Sequence, residues 1–227
     1  LVRRSVEPAR GKWGLPSGYG EAGERPEETA VRETFEETGL RVEITDLIGV
    51  YSFLVDTIPG GVVVFYAARP TGGTLRPGDD ASEVRFFAPE ELPAEIAFRP
   101  QRRILGQWAR AATIRCQEAD ADQRARVAEL AGQQGITYGP AAGHAALAAC
   151  PLLLVALEGA EVVGFLAADD APVEGTLTLR GVYVLPDYRR WGIGTRLLGV
   201  ASALAAQRGA AALLAEVPAE NPALLLF

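Results

Sequence analysis

Apolar residues along this 227-residue chain recur in short runs of strand length, separated by stretches whose apolar positions return every three or four residues. The first pattern marks strands and the second marks helices, so the chain reads as an α/β (α+β) protein. A strand end at Leu1–Arg3 leads into a Gly/Pro-rich loop and then a Glu-rich helix from about Pro26 to Thr38. Pro26 suits a first helical turn, Glu27 and Glu28 complement the positive helix end, and Gly39 supplies the stop. Apolar runs at Val42–Tyr51 and Gly61–Ala68 predict two strands, with the turn-like IPGG between them. EVRFF at Glu83–Phe87 reads as another strand, and Arg102–Ala111 as a closing helix with Ile104, Leu105 and Trp108 on its inner face.

The pattern then starts afresh. A strand at TIRC and a helix over about Asp120–Ala131 precede LLLVALEGAEVVGFLAA, two strands hinged at Glu158–Gly159. A long strand ends in LRGVYVLP, a glycine-containing turn opens a helix from Gly194 to Arg208, and ALLAEV forms one more strand. No repeat or low-complexity linker separates the halves. Two domains are expected, residues 1–110 and 111–227, joined near Arg110–Thr113.

Composition narrows the function classes. A hydrophobic content of 48% is enough for sizeable cores. The longest apolar runs, such as VVVFYAA at Val62–Ala68, fall short of a bilayer span, so no membrane segment is expected. A formal net charge of −7 argues against general nucleic-acid binding, because neutralising phosphates takes basic patches. It leaves open phosphate ligands held by metal ions or backbone amides. Cys116 and Cys150 have neither disulfide-framework nor metal-ligand spacing and read as ordinary buried thiols suited to a reducing cytoplasm. The single histidine, His144, has no partner motif and reads as structural. LVRRSVEP is charged and lacks the apolar core of a signal peptide. The chain contains no methionine, so its translation start is expected upstream.

The Glu-rich helix raises a chemical question. Positions i, i+3 and i+4 share a helix face, which brings Glu33, Glu36 and Glu37 together. Like charges so placed are unfavourable unless a cation neutralises them. Hard divalent ions prefer carboxylate oxygens and keep water and substrate phosphate as further ligands. Arg32 stands beside the cluster, where it can fix a glutamate through a bidentate pair. On its own such a cluster is more often a solvated acidic face.

The cluster has a frame. Gly18, Glu24, Arg32, Glu33, Glu36, Glu37 and Gly39 fit G-x5-E-x7-R-E-U-x-E-E-x-G-U, which resembles the Nudix box, and the upstream GKWGLPSG is similar to the approach to that box. The resemblance implies an αβα sandwich, Mg²⁺ or Mn²⁺, and hydrolysis of a nucleoside diphosphate linked to another moiety. By the same resemblance Glu33, Glu36, Glu37 and the backbone oxygen of Ser17 are metal ligands, Glu24 supports them and Arg32 orients them. Thr34 and Ser17 depart from the family pattern without removing a carboxylate. RRSVEPARGKWGLPSGYGEAGE together with PGDDASEVRFFAPEELPAEIAF is similar to Nudix proteins acting on ADP-ribose and FAD, so a nucleotide-sugar or dinucleotide substrate is expected. Asp80 or Glu83 is a candidate for a further acid, with a surface role equally open to either.

A second phosphate reader is expected in LRGVYVLPDYRRWGIGTRLL. A strand turns into a helix whose N-terminus offers unpaired amides, and glycines permit close approach of a ligand. By itself such a turn is equally a tight strand–helix junction. R-R-W-G-I-G at Arg189–Gly194 matches R-x-x-G-x-G, and with VYVLPDYR before it and AEVPAENPALLLF after it resembles the GNAT acetyltransferases, a mixed-sheet fold. The resemblance implies acetyl-CoA held by backbone groups of Val182, Tyr183 and Val184 and by amides of Arg189, Arg190, Trp191, Gly192, Ile193, Gly194 and Thr195, with Asn221 a further contact. The amine acceptor is unidentified, Glu174 is a candidate base, and the family's tyrosine acid is expected one residue beyond Phe227. Against the two family patterns the chain is expected to lack most of the first Nudix strand and the closing GNAT strands. The expected function is a bifunctional enzyme, pyrophosphohydrolase and N-acetyltransferase. The alternative is that one domain is a nucleotide or acetyl-CoA sensor regulating the other.

Overall fold

The computed structural model describes residues 1–55, 58–78, 80–136, 144–170 and 175–215. The chain divides into two compact units, Leu1–Ala112 and Thr113–Phe227. No helix among the described residues is long and apolar enough to cross a membrane.

In the first unit β1 (Val2–Arg4) is the centre of a small antiparallel sheet, flanked by β2 (Trp13–Gly14) and β5 (Ala81–Val84). EVRFF was expected to be strand throughout. The strand instead ends at Val84, with Arg85 and Leu1 exchanging one further pair of hydrogen bonds, and Phe87 turns its ring edge-on to Trp13 with centroids 4.9 Å apart. β3 (Leu40–Val55) and β4 (Ile58–Gly73) form a separate antiparallel hairpin. It is longer at both ends than the apolar runs predict, and IPGG belongs to β4, not to the turn. The ladder is irregular between Phe53 and Val55, just opposite this segment, and a proline without an N–H is tolerated where a ladder is already broken.

α1 (Pro26–Thr38) follows β2 and packs against the hairpin. Proline at its first position and Gly39 at φ 71° bound it as the sequence predicts. Its N-terminus carries a capping box in which Arg25 N–H donates to Glu28 Oε2 at 3.0 Å. α2 (Arg99–Thr113) closes the unit with Ile104, Leu105 and Ala111 buried. Gln101 is buried with them, and its side chain ties to the loop after β2: Leu15 N–H donates to Gln101 Oε1 at 3.0 Å.

The second unit holds a five-stranded sheet in the order β10-β9-β8-β7-β6. These strands are β6 (Arg115–Glu118), β7 (Leu152–Glu158), β8 (Glu161–Asp170), β9 (Thr176–Val184) and β10 (Ala212–Ala215). β6 to β9 are antiparallel neighbours and β10 joins β9 in parallel, so the sheet is mixed. β7 and β8 turn at Gly159, whose φ of 62° is cheap only for glycine. The near-continuous apolar run of β7 reflects burial on both faces. Leu153, Val155, Phe165 and Ala167 point to one side, into a core with Val127, Ala131 and Leu147. Leu152, Leu154, Leu166 and Ala168 are fully buried on the other side, where α5 (Ile193–Gln207) packs. Ile193, Leu197, Ala201 and Ala205, four residues apart, form the buried stripe of α5. α3 (Ala121–Gln133) starts at an Asp120 cap whose Oδ1 accepts from Gln123 N–H at 2.9 Å. The short α4 (His144–Ala148) falls in the small-residue stretch where no element is predicted.

Candidate active site

Arg32 organises the acidic end of α1. Its Nε donates to Glu24 Oε1 and its Nη2 to Glu24 Oε2, both at 2.9 Å, so the guanidinium grips one carboxylate along a whole edge. Nη1 donates to Glu33 Oε1 at 2.8 Å and to Glu36 Oε2 at 3.1 Å, while Nη2 also reaches Tyr19 O at 3.1 Å. The loop holding Gly18, Tyr19 and Glu24 is thereby fastened to the helix. Hydrogen bonds from Arg32, then from Glu21 N–H and the Thr29 hydroxyl, hold the Glu24 carboxyl down to about 2. The same bonds, Glu24 first and Glu33 second, raise the Arg32 guanidinium further above its ordinary value.

Glu33 and Glu37 occupy tighter surroundings. A Cβ on Gly18 would stand 2.0 Å from Glu33 Oε1, so a side chain at that position would displace the carboxylate. Glu37 is half-buried and its Oε2 accepts from Ser17 N–H at 3.2 Å. Burial pushes the Glu37 carboxyl up to about 7 despite that bond, and the Glu33 and Asp80 charges push the same way. Ser17 contributes its amide to this site, and its hydroxyl accepts from Gln101 Nε2 at 3.4 Å.

Opposite the helix end lies a strap that no residue pattern announces. Thr74 N–H donates to Gly39 O at 3.2 Å, Arg76 N–H to Thr38 O at 2.9 Å and Gly78 N–H to Glu37 O at 3.1 Å. A helix end leaves such carbonyls without intrahelical partners, and the strap supplies them. Gly78 sits so close that a Cβ there would lie 1.9 Å from Glu36 O. Helix and strap enclose a cleft of about 380 Å³ lined by Glu33, Glu36, Glu37 and Asp80 together with Gly39, Arg76, Pro77 and Gly78. Of the two further acids considered from sequence, Asp80 lines this cleft. Glu83 lies on β5 beside Arg3, with which it makes a surface ion pair at 3.6 Å.

Carboxylate oxygens on one cleft wall are a donor set that suits a hard divalent ion. As they stand, no three acidic, histidine or cysteine groups among the described residues are gathered closely enough to cage one. Arg32 Nη1 sits between Glu33 and Glu36 and offsets their repulsion. Sequence reasoning did not find Gln101, Arg76 or Gly78. The last two act from a loop whose backbone, not its side-chain pattern, makes the contacts.

In the second unit Val182, Tyr183 and Val184 end β9, paired with Leu166, Phe165 and Gly164 of β8. On the other edge of β9 the described pairing with β10 stops at Leu179. Arg189 folds back on the strand, donating from Nε to Val184 O at 2.8 Å with its guanidinium over the Tyr183 ring. Arg190 at φ 70° and Gly192 at φ 72° are both left-handed, and two such residues turn the chain sharply before α5 begins at Ile193. Gly194 and Thr195 lie in the first turn of α5, with Gly194 facing Val182 Cγ1. Trp191, between Arg190 and Gly192 before α5, is half-buried. Asn221, Glu174 and Phe227 lie outside the described residues. Both cysteines are free, and burial, with a hydrogen bond to Asp169, raises the Cys150 thiol to about 12.

Known proteins divide between the two units. Residues 1–109 match the family model described as NUDIX domain, and residues 115–227 match that of the acetyltransferase (GNAT) family. An ADP-ribose pyrophosphatase of Methanocaldococcus jannaschii is 42% identical over 106 residues, 46% of this chain and 62% of that protein. A MutT-like protein of Streptomyces ambofaciens is 38% identical over 87 residues, 38% of this chain and 54% of that one. The chain thus spans little more than half the length of these relatives. The solved structure of a NUDIX hydrolase from Nitrosomonas europaea is 37% identical, covers 48% of this chain and 61% of its own, and superposes with a TM-score of 0.44. The chain joins a NUDIX domain to a domain of the GNAT acetyltransferase family.

Proposed function

We propose that the first unit hydrolyses a nucleoside diphosphate linked to another moiety, of the ADP-ribose or FAD type, and needs Mg²⁺ or Mn²⁺ to do so. The observation that carries this reading is the single cleft shared by Glu33, Glu36, Glu37 and Asp80. Glu33, Glu36 and Glu37, with the Ser17 backbone oxygen, would hold the metal, which supplies charge neutralisation and activation of water. The protein's own part is placement. Arg32 ties Glu24, Glu33 and Glu36 into one set, the kind of outer-shell support that governs how metal ligands are held. Gly18 leaves room for the Glu33 carboxylate, and Ser17 N–H directs that of Glu37. Water adds across a P–O bond of the diphosphate, that bond breaks, and two phosphorylated products leave.

For the second unit we propose transfer of an acetyl group from acetyl-CoA to an amine. Support comes from the sharp turn at Arg190 and Gly192 into the amide-rich start of α5, beside the β9 edge at Val182–Val184. Such a start favours a pyrophosphate. Two free thiols suit a reducing cytoplasm. A panel of nucleotide diphosphates incubated with Mg²⁺ or Mn²⁺ tests the first activity. Titration with acetyl-CoA followed by acetyl transfer to an amine panel tests the second. Turnover of no diphosphate in either metal would refute the hydrolase reading.

A further inference from the structure

Arg76 holds an unusual position in the cleft. Its N–H is engaged by Thr38 O, and the following Pro77 confines its ψ to extended values, so its backbone is held on both sides. The side chain leaves the strap directly over Gly39: a Cβ there would stand 2.9 Å from Arg76 Cγ and 3.4 Å from its Nε. Gly39 therefore both ends the helix in a left-handed conformation and makes room for the arginine stem. The guanidinium is exposed and, among the described residues, has no ion pair or side-chain hydrogen bond. Every other charged side chain on the cleft wall is a carboxylate, and Arg32 already pairs with Glu33 and Glu36 from behind.

We propose that Arg76 is a specificity-determining residue that takes phosphate oxygens of the diphosphate substrate on the strap side of the cleft. The proposal rests on the hydrolase reading of the same site. A guanidinium presents a planar fork of donors that matches paired phosphate oxygens, and it is more weakly hydrated than an ammonium group. In a cleft otherwise lined by carboxylates, it is the group that distinguishes an anionic substrate from a neutral nucleoside. A purely structural role is also physically reasonable, since a cation at a helix C-terminus stabilises the macrodipole. The two roles differ in what they move: one changes substrate affinity and the other changes melting temperature alone.

The test compares wild type, Arg76→Ala and Arg76→Lys in the full chain with Mg²⁺. Steady-state hydrolysis of ADP-ribose gives KM and kcat, calorimetry with non-hydrolysable α,β-methylene ADP-ribose gives Kd, and thermal melting gives stability. Loss of one charge-assisted contact predicts that Arg76→Ala raises KM and Kd roughly tenfold to a hundredfold, with kcat within about threefold. Arg76→Lys recovers part of the affinity. Unchanged KM and Kd, with or without a lower melting temperature, overturn the proposal, as does a loss confined to kcat. If wild type binds the analogue but turns over no nucleoside diphosphate in a panel with Mg²⁺ or Mn²⁺, the hydrolase reading falls and the Kd comparison alone decides Arg76. If it neither binds nor hydrolyses, both fall.

Discussion

Arg32 and Glu24, eight positions apart, meet edge to edge through two bonds of 2.9 Å, and that pair joins the loop to the helix carrying the candidate metal ligands. A lysine offers a point charge in place of the fork and cannot also reach Glu33, Glu36 and Tyr19 O. Arg32→Lys is expected to lower metal-dependent hydrolysis about tenfold to a hundredfold, the usual effect of losing an outer-shell partner. Metal titration of activity should show a weakened apparent metal affinity. Unchanged kinetics would mean the pair is ornamental.

Gly78 predicts a steric effect. An added Cβ meets the backbone oxygen of Glu36 at 1.9 Å, which no side-chain rotation can relieve, so the strap must move away from α1. Gly78→Ala should cost about 1–3 kcal/mol of stability, as overpacking does, and should lower hydrolysis with it. Gly72 on β4 has open space around its Cβ direction, and Gly72→Ala is the matched control with neither effect. Chemical denaturation and an activity assay on both variants separate the outcomes.

Glu37 predicts the pH dependence of the metal-free protein. Its carboxyl titrates at about 7 in the fold against the ordinary 4.5, so the folded state binds the extra proton between those values. Stability contributed by this group is therefore greatest at low pH and falls as pH rises through about 4.5 to 7. Glu24 works the other way, its stabilisation being lost only as pH falls below the ordinary value toward about 2. In EDTA, melting temperatures should decline across the upper window for wild type and flatten for Glu37→Gln. Parallel curves would contradict the assignment.

Gly194 separates the two readings of the turn before α5. Its Cβ direction meets only Val182 Cγ1 at 3.9 Å, an ordinary contact, and alanine is a better helix former by about 1 kcal/mol. Gly194→Ala should thus stabilise the protein yet weaken acetyl-CoA binding measured by calorimetry, because the methyl occupies the approach to the amides. A glycine serving only as a tight junction would leave binding unchanged.

These predictions also mark where the chain was legible. α1 was readable from Pro26 to Gly39 because its caps are local chemistry, and Glu33, Glu36 and Glu37 because helical spacing dictates a shared face. The β7–β8 turn at Gly159 was readable for the same kind of reason, a break between two apolar runs. IPGG misled because glycine and proline signal a turn by propensity, while the hairpin partner sets where pairing ends. The strap from Thr74 to Gly78 was invisible because its bonds are backbone to backbone over more than 30 positions, and no side-chain pattern records them. Glu37's burial was equally hidden: it depends on the strap and on the loop at Ser17, not on the helix that carries it.

The central claim is that Glu36 and Glu37 serve a metal-dependent hydrolysis in the cleft at the end of α1. It is tested most directly by measuring ADP-ribose and FAD hydrolysis with and without Mg²⁺ for wild type, Glu36→Gln and Glu37→Gln, each checked for an unaltered fold by circular dichroism. Wild type should turn over at least one of the two only with metal, and each variant should lose at least about a hundredfold in rate. Full metal-dependent activity in both variants would contradict the account.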